Sequence, residues 1–258
     1  MPAKPRRPFL KWMLRLYVML GVAVLVAIPV GYQATGFDDR ILRSEGAVAV
    51  IRDGGQLNFV PQDRTPSTAL LFLPGAMVDP DAYAPMAHAV AAKGYRVTLL
   101  SLALRLAPTE ASVAGLMQEI RHIMASDPSI RHWVVAGHSR GGKLAARFAY
   151  ENPDSLGGLF LVATSHPDRQ FDLSRLSLPV TKVVGTQDGV ASPEAIAGNA
   201  RFLPKHTAWV RIEGANHAQF GYYRFQLGDK AASIDRLQQQ QLLVDAILRH
   251  LSSAAERP

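Results

Sequence analysis

Ser139, Asp188 and His217 stand in an order and in surroundings that suit nucleophilic acyl transfer. Ser139 is the centre of Gly137-His138-Ser139-Arg140-Gly141, a G-x-S-x-G pentapeptide followed by Gly142. A serine alcohol needs a base to take its proton during attack and to return it to the leaving group. His217, at the end of Glu213-Gly214-Ala215-Asn216-His217, offers an imidazole late in the chain. Asp188, in Gly185-Thr186-Gln187-Asp188-Gly189, offers a carboxylate that can fix the imidazole's tautomer and stabilise its charged form. Each has a plainer reading: Ser139 as a helix N-cap, Asp188 as an Asx-turn residue, His217 as an exposed loop side chain. The order Ser, Asp, His is the one a strand-turn-helix nucleophile requires, and it favours the chemical reading. Asp79 and Asp81 are poorer acids, because they precede the nucleophile and start a helix.

The surrounding pattern supplies elements to hold these groups. Residues 132–136 read as a strand and 143–150 as a helix, so Ser139 falls on the turn between them. Such a turn strains the serine and needs small residues two before and two after, which Gly137 and Gly141 provide. It also aims a helix N-terminus at developing negative charge. Two backbone donors are expected for that oxyanion, the N–H of Arg140 and one from Pro74-Gly75-Ala76-Met77, with Ala76 favoured. His166, Arg105 and the 222–229 loop, beginning at Tyr222, follow strand ends and are expected at the pocket. Gly137 to Lys143 also fits the start of a phosphate-binding loop, but Leu144 stands where a Ser or Thr would hold magnesium. Nothing in these motifs calls for a cofactor or a metal.

Along the rest of the chain, strands alternate with helices. Strands are expected at 47–51 and 57–61, joined by Asp53-Gly54-Gly55, and at 69–73, 95–100, 158–162, 180–184 and 209–212. Helices are expected at 83–92, 111–125 and from about residue 233. The sum is an α/β fold, a doubly wound, mostly parallel sheet covered on both faces.

Of the 258 residues 48% are apolar and 19% charged, enough for one sizeable core. The absence of cysteine excludes disulfides, thiolate metal sites and a cysteine nucleophile. Five of the positive charges behind the net +7 are Lys4, Arg6, Arg7, Lys11 and Arg15 at the N-terminus, so the remainder carries only +2 and no nucleic-acid face is implied. After this basic flank (1–15), residues 16–30 carry no charge and close with Gly31 and Tyr32, Trp12 and Tyr32 sitting where interfacial aromatics would. A signal anchor over 16–32 is expected, with the domain at 45–252 outside the cytoplasmic membrane. A cleaved signal ending near Ala34-Thr35-Gly36 and a buried helix are the alternatives.

With strand, elbow, acid and histidine in order, residues 45–252 resemble the α/β-hydrolase superfamily, in particular small bacterial dienelactone-hydrolase-like members. The likeness lies in 137–142, 185–192 and 216–222, and most of all in Asn216-His217-Ala218-Gln219-Phe220-Gly221 followed by Gln226 and Gly228-Asp229. It implies the fold, the triad by position and a small-molecule ester substrate. True dienelactone hydrolases use a cysteine, which this chain lacks. Only 163–178 separates the sixth and seventh strands, where many relatives insert a helical cap, so an open site for small or protruding acyl groups is expected. An exported carboxylic-ester hydrolase is the leading reading. A thioesterase, a peptidase or an inactive membrane-tethered binding protein on the same fold are the alternatives.

Overall fold

The computed structural model describes residues 8–256, with the side chains of 11–19, 21 and 30–256. Its sheet opens with β1 (Val48–Asp53) and β2 (Gln56–Pro61), paired antiparallel so that Asp53 faces Gln56 across Gly54 and Gly55. Both glycines have positive φ (53° and 89°), the conformation a two-residue hairpin turn demands.

The next strand, β3 (Thr68–Leu73), is buried throughout. Its residues divide between two layers by the alternation of a strand. Leu70 and Phe72 enter one core with Met86 and Val90 of α2 (Ala84–Ala91) and Leu243 and Ile247 of α6 (Arg236–Ala255). Leu71 and Leu73 enter the other with Leu116 and Ile120 of α3 (Glu110–Ser126) and Phe148 of α4 (Arg140–Glu151). A sheet covered on both faces needs such uninterrupted apolar strands.

The remaining strands are β4 (Arg96–Leu99), β5 (His132–His138), β6 (Gly158–Val162), β7 (Val180–Gly185) and β8 (Ala208–Ile212). The spatial order is β1-β2-β4-β3-β5-β6-β7-β8, with β3 to β8 mutually parallel. The chain leaves β3 for β4 on one side and returns to β5 on the other. The loops after β3 and β5 therefore diverge over a crevice at the carboxyl edge, where sheets of this type bind ligands. Those loops carry Ala76 and Ser139.

Element boundaries differ from expectation in two instructive places. β5 runs on to His138 and α4 starts at Arg140, leaving Ser139 alone as the turn. The final helix starts at 236 rather than 233, because Asp235 caps it by accepting from the Gln238 N–H at 2.8 Å. Between β6 and β7 there is no helix.

At the N-terminus, α1 spans Pro8–Gly31. Lys4, Arg6 and Arg7 of the basic flank lie outside the described residues, as do the side chains of 20 and 22–29 within the expected membrane segment. Among the described residues, no helix is long and apolar enough to cross a membrane. The chain leaving α1 is fixed to the domain: Tyr32 is buried and stacks on Tyr223 at 5.8 Å, and the Thr35 N–H donates to the Tyr222 carbonyl at 2.8 Å.

Candidate active site

Ser139 adopts φ 52° and ψ −112°, a conformation that costs a non-glycine residue on the order of 1–3 kcal/mol. The surroundings enforce it. The Ser139 N–H donates to the Val162 carbonyl at 2.9 Å, tying the turn to the end of β6. A Cβ on Gly141 would fall 2.0 Å from the Leu73 carbonyl oxygen, and one on Gly137 would fall 2.2 Å from the Gly141 carbonyl carbon. Only glycine lets α4 pass this close to β3 and β5, and the close passage leaves the serine projecting over the carboxyl edge.

His217 follows β8 and is 1% exposed. Its Nδ1 lies 2.8 Å from Oδ2 of Asp188, which is wholly buried in the loop after β7. An ionised carboxylate only accepts hydrogen bonds, so the Nδ1 proton is donated to Asp188 and Nε2 keeps its lone pair. The other oxygen, Oδ1, accepts from the Val190 and Ala191 N–H groups at 2.8 and 2.7 Å. The imidazole packs on the ring of His138, the residue before Ser139, with centroids 4.4 Å apart. The Ser139 hydroxyl and His217 Nε2 make no hydrogen bond with each other, a contact that in resting hydrolases commonly tightens only once substrate is bound.

The loop after β3 is held from below. Fully buried Tyr83 accepts from the Gly75 N–H at 3.0 Å and donates to His138 Nδ1 at 2.8 Å. Burial, with the adjacent His217, pushes the His138 imidazole well below its ordinary pKa, so it is neutral and free to accept there. Burial likewise raises the Tyr83 phenol, which stays protonated as that donor. The Ala76 and Arg140 N–H groups donate to no acceptor among the described residues. The Met77 N–H, by contrast, is taken by the Arg105 carbonyl.

Several residues organise this site in ways the sequence does not assign; Asp229 is expected there only as the end of a pocket loop. Asp229 gathers four backbone donors: Gly189, His217 and Lys230 on Oδ1 at 3.0, 3.2 and 2.9 Å, and Ala218 on Oδ2 at 2.8 Å. One carboxylate thus clamps the Asp188 loop to the His217 loop. Gln239, buried in α6, accepts from the Asn216 N–H at 3.2 Å and donates to its carbonyl at 2.8 Å. Gln240 donates to the Gln219 carbonyl at 2.7 Å. Gly228-Asp229 belonged to the family-like segment; the glutamine tract carried no such signal.

The expected pocket residues divide. His166 lines a cavity of about 280 Å³ together with Ser139, Arg140, Lys143 and Val190. Arg105 does not line it: its guanidinium pairs with Asp79 at 2.9 Å, because the loop after β4 turns back over the start of α2. Tyr222 does not line it either. Its ring packs edge-on to Phe37 at 5.7 Å and beneath the Arg236 guanidinium, as part of the seat for the N-terminal segment. A larger cleft of about 470 Å³ lies at the opposite, amino ends of β7 and β8, lined by Thr181, His206 and His250 and remote from Ser139.

No curated protein matches the chain. Among solved structures, Est1E from Butyrivibrio proteoclasticus is 12% identical over 82% of this chain and 100% of that one, with a TM-score of 0.56. The same protein with ferulic acid bound gives 0.60 at 12% identity, over 79% and 99% of the two chains. The Paleococcus ferrophilus monoacylglycerol lipase is 14% identical over 76% and 98%, with a TM-score of 0.57. At such identities the likeness speaks for the fold. A family model speaks for descent: residues 69–241, more than half of the chain and running from β3 into α6, match that of the alpha/beta hydrolase family. A serine on a strained strand-to-helix turn at the switch point of this sheet is what that family's fold provides, and the chain belongs to it.

Proposed function

We propose that the chain is a serine hydrolase that cleaves carboxylic esters with small or protruding acyl groups through an acyl-enzyme. The observation that carries this reading is the buried Asp188–His217 hydrogen bond, with His217 packed on the residue before a serine held at positive φ. Ser139 Oγ attacks the ester carbonyl while His217 Nε2 takes its proton, and Asp188 stabilises the resulting imidazolium. The carbonyl oxygen becomes an oxyanion that accepts from the Ala76 and Arg140 N–H groups. As the tetrahedral adduct collapses, His217 returns the proton to the departing alcohol. Water, deprotonated by the same Nε2, then attacks the acyl group and releases the acid and Ser139.

The uncapped stretch between β6 and β7 and the modest cavity favour short acyl chains. A p-nitrophenyl ester series tests this. We expect kcat/KM for acetate or butyrate to exceed that for palmitate by about tenfold or more. A preference for palmitate would refute the open-site reading.

We further propose that α1 tethers the domain to a membrane with its catalytic edge outside the cytoplasm. Support comes from the charge-free run after a basic flank and from Leu14, Leu16, Tyr17, Val18 and Met19, whose large apolar side chains are exposed in α1. N-terminal sequencing of protein extracted from membranes should find α1 retained. A mature chain beginning near residue 35 would rule out the tether.

A further inference from the structure

The cavity beside Ser139 is walled by positive charge that the chain does not neutralise. Arg140 and Lys143 line it, and no carboxylate does. Five other arginines, Arg52, Arg96, Arg105, Arg147 and Arg211, each face an acidic partner within 2.9 Å, whereas Arg236, like Arg140, donates to a backbone carbonyl. The Arg140 Nε and Nη2 instead donate to the carbonyls of Leu106 and Ala107, at 3.1 and 2.8 Å. These neutral acceptors fix the guanidinium in place without cancelling its charge. Lys143, half-buried one turn further along α4, has no carboxylate partner among the described residues.

A third basic side chain lies behind the wall. Lys182 is fully buried, its ammonium donates to the His166 carbonyl, and burial brings its pKa down to about 7. Two acids lie near without lining the cavity: Asp168, 3.1 Å from His166 Nδ1, and Asp188, engaged by His217 and by the Val190 and Ala191 N–H groups. Burial and the surrounding cations, Lys143 foremost, hold the His166 imidazole at about 4, so at neutral pH it serves as an uncharged hydrogen-bonding group. The buried Thr164 and the adjacent Ser165 add hydroxyls to the lining, and Ala163, Val190 and Ala191 give it one apolar side.

We propose that this cavity seats an anionic group, an ionised carboxylate or phosphate carried on the same molecule as the scissile ester, and that Lys143 and Arg140 select for it. The proposal rests on reading Ser139 as the nucleophile and narrows the substrate to esters bearing a second, charged end, such as hemi-esters of dicarboxylic acids.

Calorimetric titration of the full chain with succinate and with inorganic phosphate needs no turnover, so it separates this proposal from the catalytic one. We expect at least one anion to bind, Lys143→Met to weaken it by about tenfold or more, and Lys143→Arg to retain it within about threefold. Tighter succinate would assign a carboxylate-bearing ester, and tighter phosphate a phosphorylated one. Failure of the folded chain to bind either anion, or binding indifferent to Lys143→Met, would overturn the proposal. Turnover gives a second readout in the ratio of kcat/KM for monomethyl succinate to that for methyl butyrate, expected at about ten or more in the wild type and near one in Lys143→Met. A wild-type ratio near one would defeat the selectivity and leave the role of Ser139 standing. Anion binding without any ester turnover would defeat the role of Ser139, and with it the assignment of the anion to an ester substrate, while leaving the anion site itself standing.

Discussion

Ser139→Ala is expected to lower kcat for ester hydrolysis by about 10⁴-fold or more, with the fold intact. A methyl group cannot attack a carbonyl, and the oxyanion donors and substrate contacts that remain account for only a residual rate. Stability should barely move. The Ser139 hydroxyl makes no hydrogen bond among the described residues, and the bond that anchors the turn, from the residue 139 N–H to the Val162 carbonyl, survives the substitution. Alanine tolerates the positive φ no better than serine does, so the strain is unchanged. Steady-state kinetics beside a thermal melt checks both halves. A variant that keeps more than about one per cent of wild-type kcat would move the nucleophile elsewhere.

Asp188→Asn is expected to cost roughly 10⁴-fold in kcat as well, for a different reason. The Val190 and Ala191 N–H groups need an acceptor, so the asparagine carbonyl will face them and its NH₂ will face His217. The imidazole must then accept at Nδ1 and carry its proton on Nε2, the nitrogen that has to receive the serine proton. Shape and packing are preserved while the tautomer is reversed. Kinetics of the purified variant, with its near-ultraviolet circular dichroism compared with wild type, measures the effect. A loss below about tenfold would mean that the 2.8 Å contact does not set the tautomer of His217.

Both predictions concern residues that the sequence already singled out, and the reason is local. Ser139, Asp188 and His217 each follow a strand whose apolar run is legible by itself, and a parallel sheet brings all its carboxyl ends to one edge. The hairpin at Gly54-Gly55 and the helix after Ser139 were readable for similar reasons. What could not be read was which distant segments meet. Asp229 serves Gly189, 40 residues away, through backbone groups that carry no side-chain signature. Gln239 and Gln240 sit at positions where helical periodicity asks for an apolar residue, and their partners are the amides and carbonyls of the histidine loop. Arg105 follows a strand end as a pocket residue should, yet Asp79, from the loop after the adjacent strand β3, claims it. Tyr83 reads as one more apolar position of a helix, and only the meeting of α2's leading turn with β5 turns its hydroxyl into the link between Gly75 and His138.

The identity of the atom that forms the covalent bond decides the mechanism most directly. Treating the full-length folded chain with a fluorophosphonate probe, digesting it and mapping the adduct by mass spectrometry gives the answer in one measurement. The adduct should sit on Ser139, in stoichiometric amount, and should be absent from Ser139→Ala. An adduct on another serine, or ester hydrolysis by a chain that the probe does not modify, would contradict it.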